Sequence, residues 1–140
     1  MNDRYLYRAK RTDNWELVEG FYFCMEHTDK RHTHHFIIPI CVSLEKGTPI
    51  EKIQVEVDPS TICQCTGLKD KNGKLIWEND IVKGKYYDNG KSHRHIGQVK
   101  YIYEAYKVVG VKQYTGYHAH LDGSYEVIGN IFDNPELLEE

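Results

Sequence analysis

The chain has 140 residues, a net charge of -3 and eleven tyrosines. That length supports one domain, or two small subdomains sharing a core, burying roughly 70% of the unfolded surface without staples. The mildly acidic balance excludes a surface that is an electrostatic glove for nucleic acid throughout, while leaving room for local basic patches.

Met1-Asn2-Asp3-Arg4 lacks the basic start and apolar run of a signal peptide, and no window nears the roughly 18 apolar residues of a membrane span. The expected place is the cytoplasm, with no membrane partner. There Cys24, Cys41, Cys63 and Cys65 are reduced thiols.

In chain order, Arg4 to Arg11 alternates loosely and predicts a half-exposed strand. Thr12-Asp13-Asn14 is a turn. Trp15 to Cys24 predicts the next strand, with Gly20 at a bulge or a close backbone approach. The first forty residues therefore read as a meander. Glu26 to His35 is polar, holds four of the eight histidines, and predicts an exposed loop or hairpin tip. Phe36 to Val42 is the most apolar run; Pro39, lacking an N–H, sets that strand at a sheet edge or breaks it at a bulge. After a turn at Gly47-Thr48-Pro49, Glu51 to Asp58 predicts a half-buried strand with Ile53, Val55 and Val57 on one face. Asp58-Pro59-Ser60-Thr61 predicts a tight turn.

The stretch from Cys65 to Lys83 organises the rest. Asn72-Gly73 predicts a hairpin with a two-residue type I′ turn, which needs positive φ at both positions. Leu75 and Trp77 fall on one face of the following strand and Ile76 on the other, and Glu78-Asn79-Asp80 redirects the chain into Ile81-Val82. Beyond Lys83 come Tyr86-Tyr87, a turn at Asp88-Asn89-Gly90 and a basic loop to His95. Gly97 to Tyr103 and Lys107 to Lys112 predict two strands around Glu104-Ala105, and Ser124 to Phe132 the last. Asn134-Pro135-Glu136 reads as an N-cap, a first-turn proline and a dipole-matched acid, opening one helical turn over residues 135–140. The predicted fold is mainly β: antiparallel sheets, two small β subdomains over residues 1–65 and 66–140 or one compact domain, and a short C-terminal helical turn.

Several of these stretches together resemble the YopX-like proteins of bacteriophages and prophages. They are Thr66-Gly67-Leu68-Lys69-Asp70-Lys71-Asn72-Gly73-Lys74 with Ile76, then Asp80-Ile81-Val82, and Val127-Ile128-Gly129-Asn130-Ile131-Phe132 before Asn134-Pro135-Glu136-Leu137-Leu138. The similarity extends upstream through Trp15 to Tyr22, His35 to Pro39 and Val57 to Gln64. Two positions depart from the family pattern, Cys65 where tyrosine is usual and Asn79 where glycine is usual; asparagine accepts positive φ next best, and cysteine packs as a small hydrophobe. The resemblance implies a small, β-rich, phage-associated, self-associating protein without an assigned activity. It supplies no catalytic residues.

Three constellations carry potential chemistry. His93-Arg94-His95, His118-Ala119-His120 and Cys63-Gln64-Cys65 each put two ligand-type side chains on one face of a strand, and two such pairs facing each other would make a tetrahedral metal site. The plain alternative is loop histidines and packed cysteines, because the spacing lacks the Cys-x-x-Cys form of strong zinc motifs. Lys83, Lys85, Tyr86, Tyr87, Lys91, His93, Arg94 and His95 form a basic stretch with aromatics, of the kind that tracks phosphates and stacks bases, or an ordinary solvated loop. Glu78 and Asp80 offer a carboxylate pair, weighed against Asp80 simply capping turn amides. Cys24 and Cys41, in apolar strands, are expected to be protonated and inert.

Gly67, Asn72, Gly73, Asn79, Asp80 and Gly129 are accordingly read as structural turn residues. No cofactor and no catalysis are expected. The expected function is a non-enzymatic, self-associating accessory module, trimeric or higher among the options, with edge strands and tyrosines as contacts. A nucleic-acid-binding module is the alternative, and a metal-dependent enzyme a distant third.

Overall fold

The computed structural model describes residues 3–26, 32–40 and 46–138. The chain divides into two compact units, Met1–Gln64 and Cys65–Glu140. Both are built from antiparallel strands, and the helical elements among the described residues are short 3-10 turns.

In the first unit, β1 (Tyr7–Lys10), β2 (Leu17–Glu26) and β3 (Thr33–Pro39) form the expected meander, and β3 pairs in turn with the short β4 (Val55–Glu56). The stretch from Arg4 to Arg11, expected as a half-exposed strand, is a 3-10 turn at Asp3–Tyr5 followed by β1, in which Arg8, Ala9 and Lys10 are all buried. Ala9, Ile37 and Val57 are buried on one face, with Tyr7, Val18, Tyr22, Val55 and Ile62 packed against them. Gly20 is a close-approach glycine: a Cβ there would lie 2.0 Å from the Ile38 carbonyl oxygen on the neighbouring strand. Pro39 is the last residue of β3, which stops there, as a residue that cannot donate to the ladder requires.

Two further expectations change in this unit. His34 and His35 lie within β3 rather than in a loop, and the tip at 27–31 falls outside the described residues. The strand expected from Glu51 to Asp58 is two residues long, because Ile50–Lys52 forms a 3-10 turn instead. Its pattern is nonetheless right, since Val55 and Val57 face the core. Asp58 opens the next 3-10 turn, Pro59–Thr61, by accepting the Ser60 N–H. Thr61 Oγ1 accepts the Lys10 N–H at 2.8 Å and donates to the Asp58 carbonyl.

The chain passes from one unit to the next within β5 (Cys63–Lys69); Cys63 and Gln64 pair with β1, and Cys65 and Lys69 pair with β6 (Leu75–Trp77). The second unit then forms a five-stranded sheet from β7 (Asp80–Asp88), β8 (Lys91–Ile102), β9 (Ala105–Gly110), β10 (His118–His120) and β11 (Glu126–Asn130), in the order β10-β9-β8-β7-β11. Ile76, Val82, Val99, Val108, Leu121 and Tyr125 make its core. The basic segment Lys91 to His95, expected as a loop, is the start of the twelve-residue β8. His118 and His120, expected to flank turns, form β10.

The Asn-Gly signals exchange roles. Asn72 does not have positive φ; Gly73 does, at 83°. The Gly73 N–H bonds the Asp70 carbonyl and the Asp70 N–H bonds that of Lys74, so the hairpin closes with a three-residue loop ending in a left-handed glycine. The two-residue turn with both φ positive lies instead at Asn89-Gly90, between paired Asp88 and Lys91. Tyr103-Glu104 makes the same turn between β8 and β9 without a glycine, at φ 51° and 66°. At the C-terminus Pro135–Leu137 is a 3-10 turn, and Asn134 does not cap it. That side chain is committed elsewhere: its Oδ1 accepts the Asn130 N–H.

Candidate functional site

The motif stretches turn their polar side chains on their own backbone. Between Cys65 and Lys69, strand β5 carries two more residues than its partner, and Gly67 takes φ 82° to absorb them. Thr66 spans the irregularity, donating its hydroxyl to the Ile76 carbonyl at 2.7 Å and accepting the Leu68 N–H. Asp70 is buried and receives three amides: Asn72 and Lys74 on Oδ1, Val127 on Oδ2, each between 2.9 and 3.0 Å. Burial pushes the Asp70 carboxyl up, but the three N–H donors together with Lys74 outweigh it and hold the group below its ordinary range. This clamp joins the hairpin loop to β11, and nothing in the residue type alone would distinguish Asp70, the one acid between Lys69 and Lys74, from a solvated loop carboxylate.

Asp80 behaves as the capping account expects, with Oδ2 accepting the Trp77 N–H at 2.9 Å. Asn79, at φ 70°, bonds Val99 and Ile131 through its main chain and accepts Gln98 on its side chain. Asn130 Oδ1 accepts the N–H groups of Phe132 and Asp133. Gly129 sits at a register shift in β11, where a Cβ would come within 2.6 Å of Asn134 Oδ1. Ile76 and Trp77 are both buried, so the two faces of β6 are covered rather than one.

The ligand-type pairs do not converge. Among the described residues there is no group of three or more His, Cys, Asp or Glu able to hold a metal ion. His95 is fully buried, and both its nitrogens are engaged: Nε2 lies 3.3 Å from the Tyr117 carbonyl and Nδ1 3.0 Å from the Tyr125 hydroxyl. A carbonyl can only accept, so Nε2 carries the proton and Nδ1 accepts from the phenol. Burial lowers the His95 pKa, and burial raises that of Tyr125 to about 12. Tyr86, Tyr114, Tyr117 and Tyr125 surround the imidazole edge-on. His93 stacks on Tyr86. Cys63 Sγ approaches the Thr61 carbonyl and Cys65 Sγ the Ile76 carbonyl, both buried. Cys24 is exposed rather than packed in an apolar strand; Cys41 lies outside the described residues.

The basic stretch splits by strand parity. Cross-strand partners share a face, so the pairing of Lys85 with Arg94 and of Tyr86 with His93 puts Lys83, Lys85, Tyr87 and Arg94 on one face. Tyr86, Lys91, His93 and His95 fall on the opposite one. The first set lines an open groove of about 600 Å³ together with Lys71, Asp122 and Ser124. Lys83, Lys85, Tyr87 and Arg94 are all exposed there. Lys71 also pairs with Glu126 at 3.4 Å.

A second surface belongs to the first unit. On the face of β2 and β3 opposite its core, Phe21 pairs with Ile38, Phe23 with Phe36 and Met25 with His34. Phe21 is 43% and Met25 48% exposed. Phe23 and Phe36 stack with centroids 5.3 Å apart, and the exposed His34–Glu56 pair closes the edge at 2.7 Å.

These features define a small all-β protein of two units whose motif residues serve its backbone. The YopX protein family model matches residues 6–139, and the chain belongs to that family. A crystal structure of an Enterococcus faecalis protein is similar at 27% identity, covering 95% of this chain and 96% of its own, with a TM-score of 0.50. The crystal structure of YopX from Bacillus subtilis is similar at 20% identity, covering 99% of this chain and all of its own, with a TM-score of 0.53, a likeness of fold. No curated protein matches. Among the described residues no helix is long and apolar enough to cross a membrane.

Proposed function

We propose that this YopX-family protein is a non-enzymatic accessory module of a phage or prophage, working in the bacterial cytoplasm and assembling with copies of itself. The observation that carries this reading is the apolar face of β2 and β3, where Phe21, Phe23, Met25, Phe36 and Ile38 stand together. Contiguous exposed apolar patches mark interaction surfaces. A twofold contact buries the same patch on both copies, and here the polar His34–Glu56 pair stands at the margin of an apolar centre, as in an interface with a polar rim. The spending of Asp70, Asp80 and Asn130 on backbone amides supports the absence of a reactive centre in the motif stretches. The three described cysteines are thiols rather than disulfide partners, which suits a reducing compartment.

Light scattering across a wide concentration range tests the reading. The native chain is expected to form oligomers, and Phe21→Lys to shift them toward monomer while leaving the β-rich circular dichroism spectrum unchanged. A native chain that stays monomeric at every concentration overturns it.

A further inference from the structure

A cross-strand pair of like charges destabilises a sheet, and one face of the second unit holds two. Lys85 lies directly opposite Arg94 and Lys100 directly opposite Lys107. Strand alternation puts all four, and Lys83, on the same face. No ion pair among the described residues reaches Lys83, Lys85 or Arg94. Glu126, opposite Lys83 on β11, is the acid that this register brings to the face, and it pairs with Lys71. In a chain whose net charge is -3, five cations gathered on one sheet face against that single cross-strand acid point to an anion supplied from outside.

The shape and chemistry of the groove narrow that anion. Lys71, Lys83, Lys85 and Arg94 line it against a single carboxylate, Asp122, and Tyr87, 74% exposed, stands among them. A volume of about 600 Å³ is in the range of sites for compact ligands. Reading a duplex takes a protruding helix or ribbon that enters its groove; here the protein is the concave partner. Cations that track phosphates beside an aromatic ring free to stack are what single-stranded nucleic acid uses.

We propose that the outer face of β7 and β8 binds single-stranded nucleic acid. Lys83, Lys85 and Arg94 contact successive phosphates, Tyr87 stacks one base, and the strand leaves the groove across Lys100 and Lys107. This goes beyond the self-assembly reading and stands on a different unit. It also corrects the sequence-level patch, since Tyr86, Lys91, His93 and His95 face the other way.

Fluorescence anisotropy with a labelled oligothymidine, its duplex and heparin, each over a salt series, is the test. The native protein is expected to bind the single strand more tightly than the duplex. Lys85→Gln with Arg94→Gln should weaken single-strand binding and flatten the logarithmic salt slope by about 1.4, two phosphate contacts at roughly 0.7 each. Tyr87→Ala should lose roughly tenfold on the oligothymidine and nothing on heparin, with the circular dichroism spectrum of every variant native. Absence of binding at low salt overturns the proposal, as does binding that the paired glutamines leave unchanged. Equal affinity for single strand and duplex, untouched by Tyr87→Ala, overturns it in favour of a general polyanion surface.

Discussion

The carboxylate of Asp70 meets three amides of its own backbone, whereas the guanidinium of Arg94 is exposed beside Lys85 on a groove. The first arrangement fixes geometry, because a buried charge left without donors costs far more than the bonds return in water. The second costs stability through repulsion and gains nothing internally. The YopX motif stretches supply the first kind of residue, and all the groove cations except Lys71 lie outside them. Family membership therefore reports how the second unit is built, and the residues beside the motif carry what it can bind.

Removing each arrangement in turn sharpens the contrast. Asp70→Ala orphans three N–H groups and should lower the unfolding free energy by about 3 kcal/mol in urea titrations. Because the folded carboxyl is held below its ordinary value of 3.8, its contribution is present above that value and lost as pH falls through the lower folded pKa.

A smaller loss comes from acid at His95. Burial favours the neutral imidazole, so below the ordinary value of 6.5 the unfolded chain takes up a proton that the folded one does not. Stability is full above that value and should decline as pH drops below it, with a urea midpoint that falls on acidification below about pH 6.5. His95→Gln should flatten that dependence.

Replacing Tyr103-Glu104 by Asn-Gly relieves two non-glycine residues at positive φ and should stabilise by about 1 kcal/mol in the same titration. The smallest effect belongs to the groove: Lys85→Gln with Arg94→Gln should change stability by less than about 0.5 kcal/mol. A loss as large as that of Asp70→Ala would erase the distinction between the two regions.

The strands were legible where apolar residues gather between turn signals, as along β2, and where apolar and acidic residues alternate, as at Val55 and Val57; β7, with Ile81-Val82 and Tyr86-Tyr87 side by side, was not read as one strand. Lys91 to His95 was hidden because charge and histidine mimic a loop, while in the fold alternate residues of that segment meet the Tyr86 and Tyr117 rings. The choice between Asn72-Gly73 and Asn89-Gly90 for the two-residue turn depended on Asp70, whose side chain bonds dictate a longer loop. The basic stretch was legible as a run of cations and aromatics, but only pairing register could divide its residues between two faces and bring Lys71, Asp122 and Ser124 to the groove.

The two borders of the five-stranded sheet differ from its interior in length and regularity. One is β10, three residues long, and the other is β11, broken by a register shift between Val127 and Gly129. A short border and a kinked one are poor templates for another strand. Fibre-like growth by strand addition at either border of this unit is thereby discouraged.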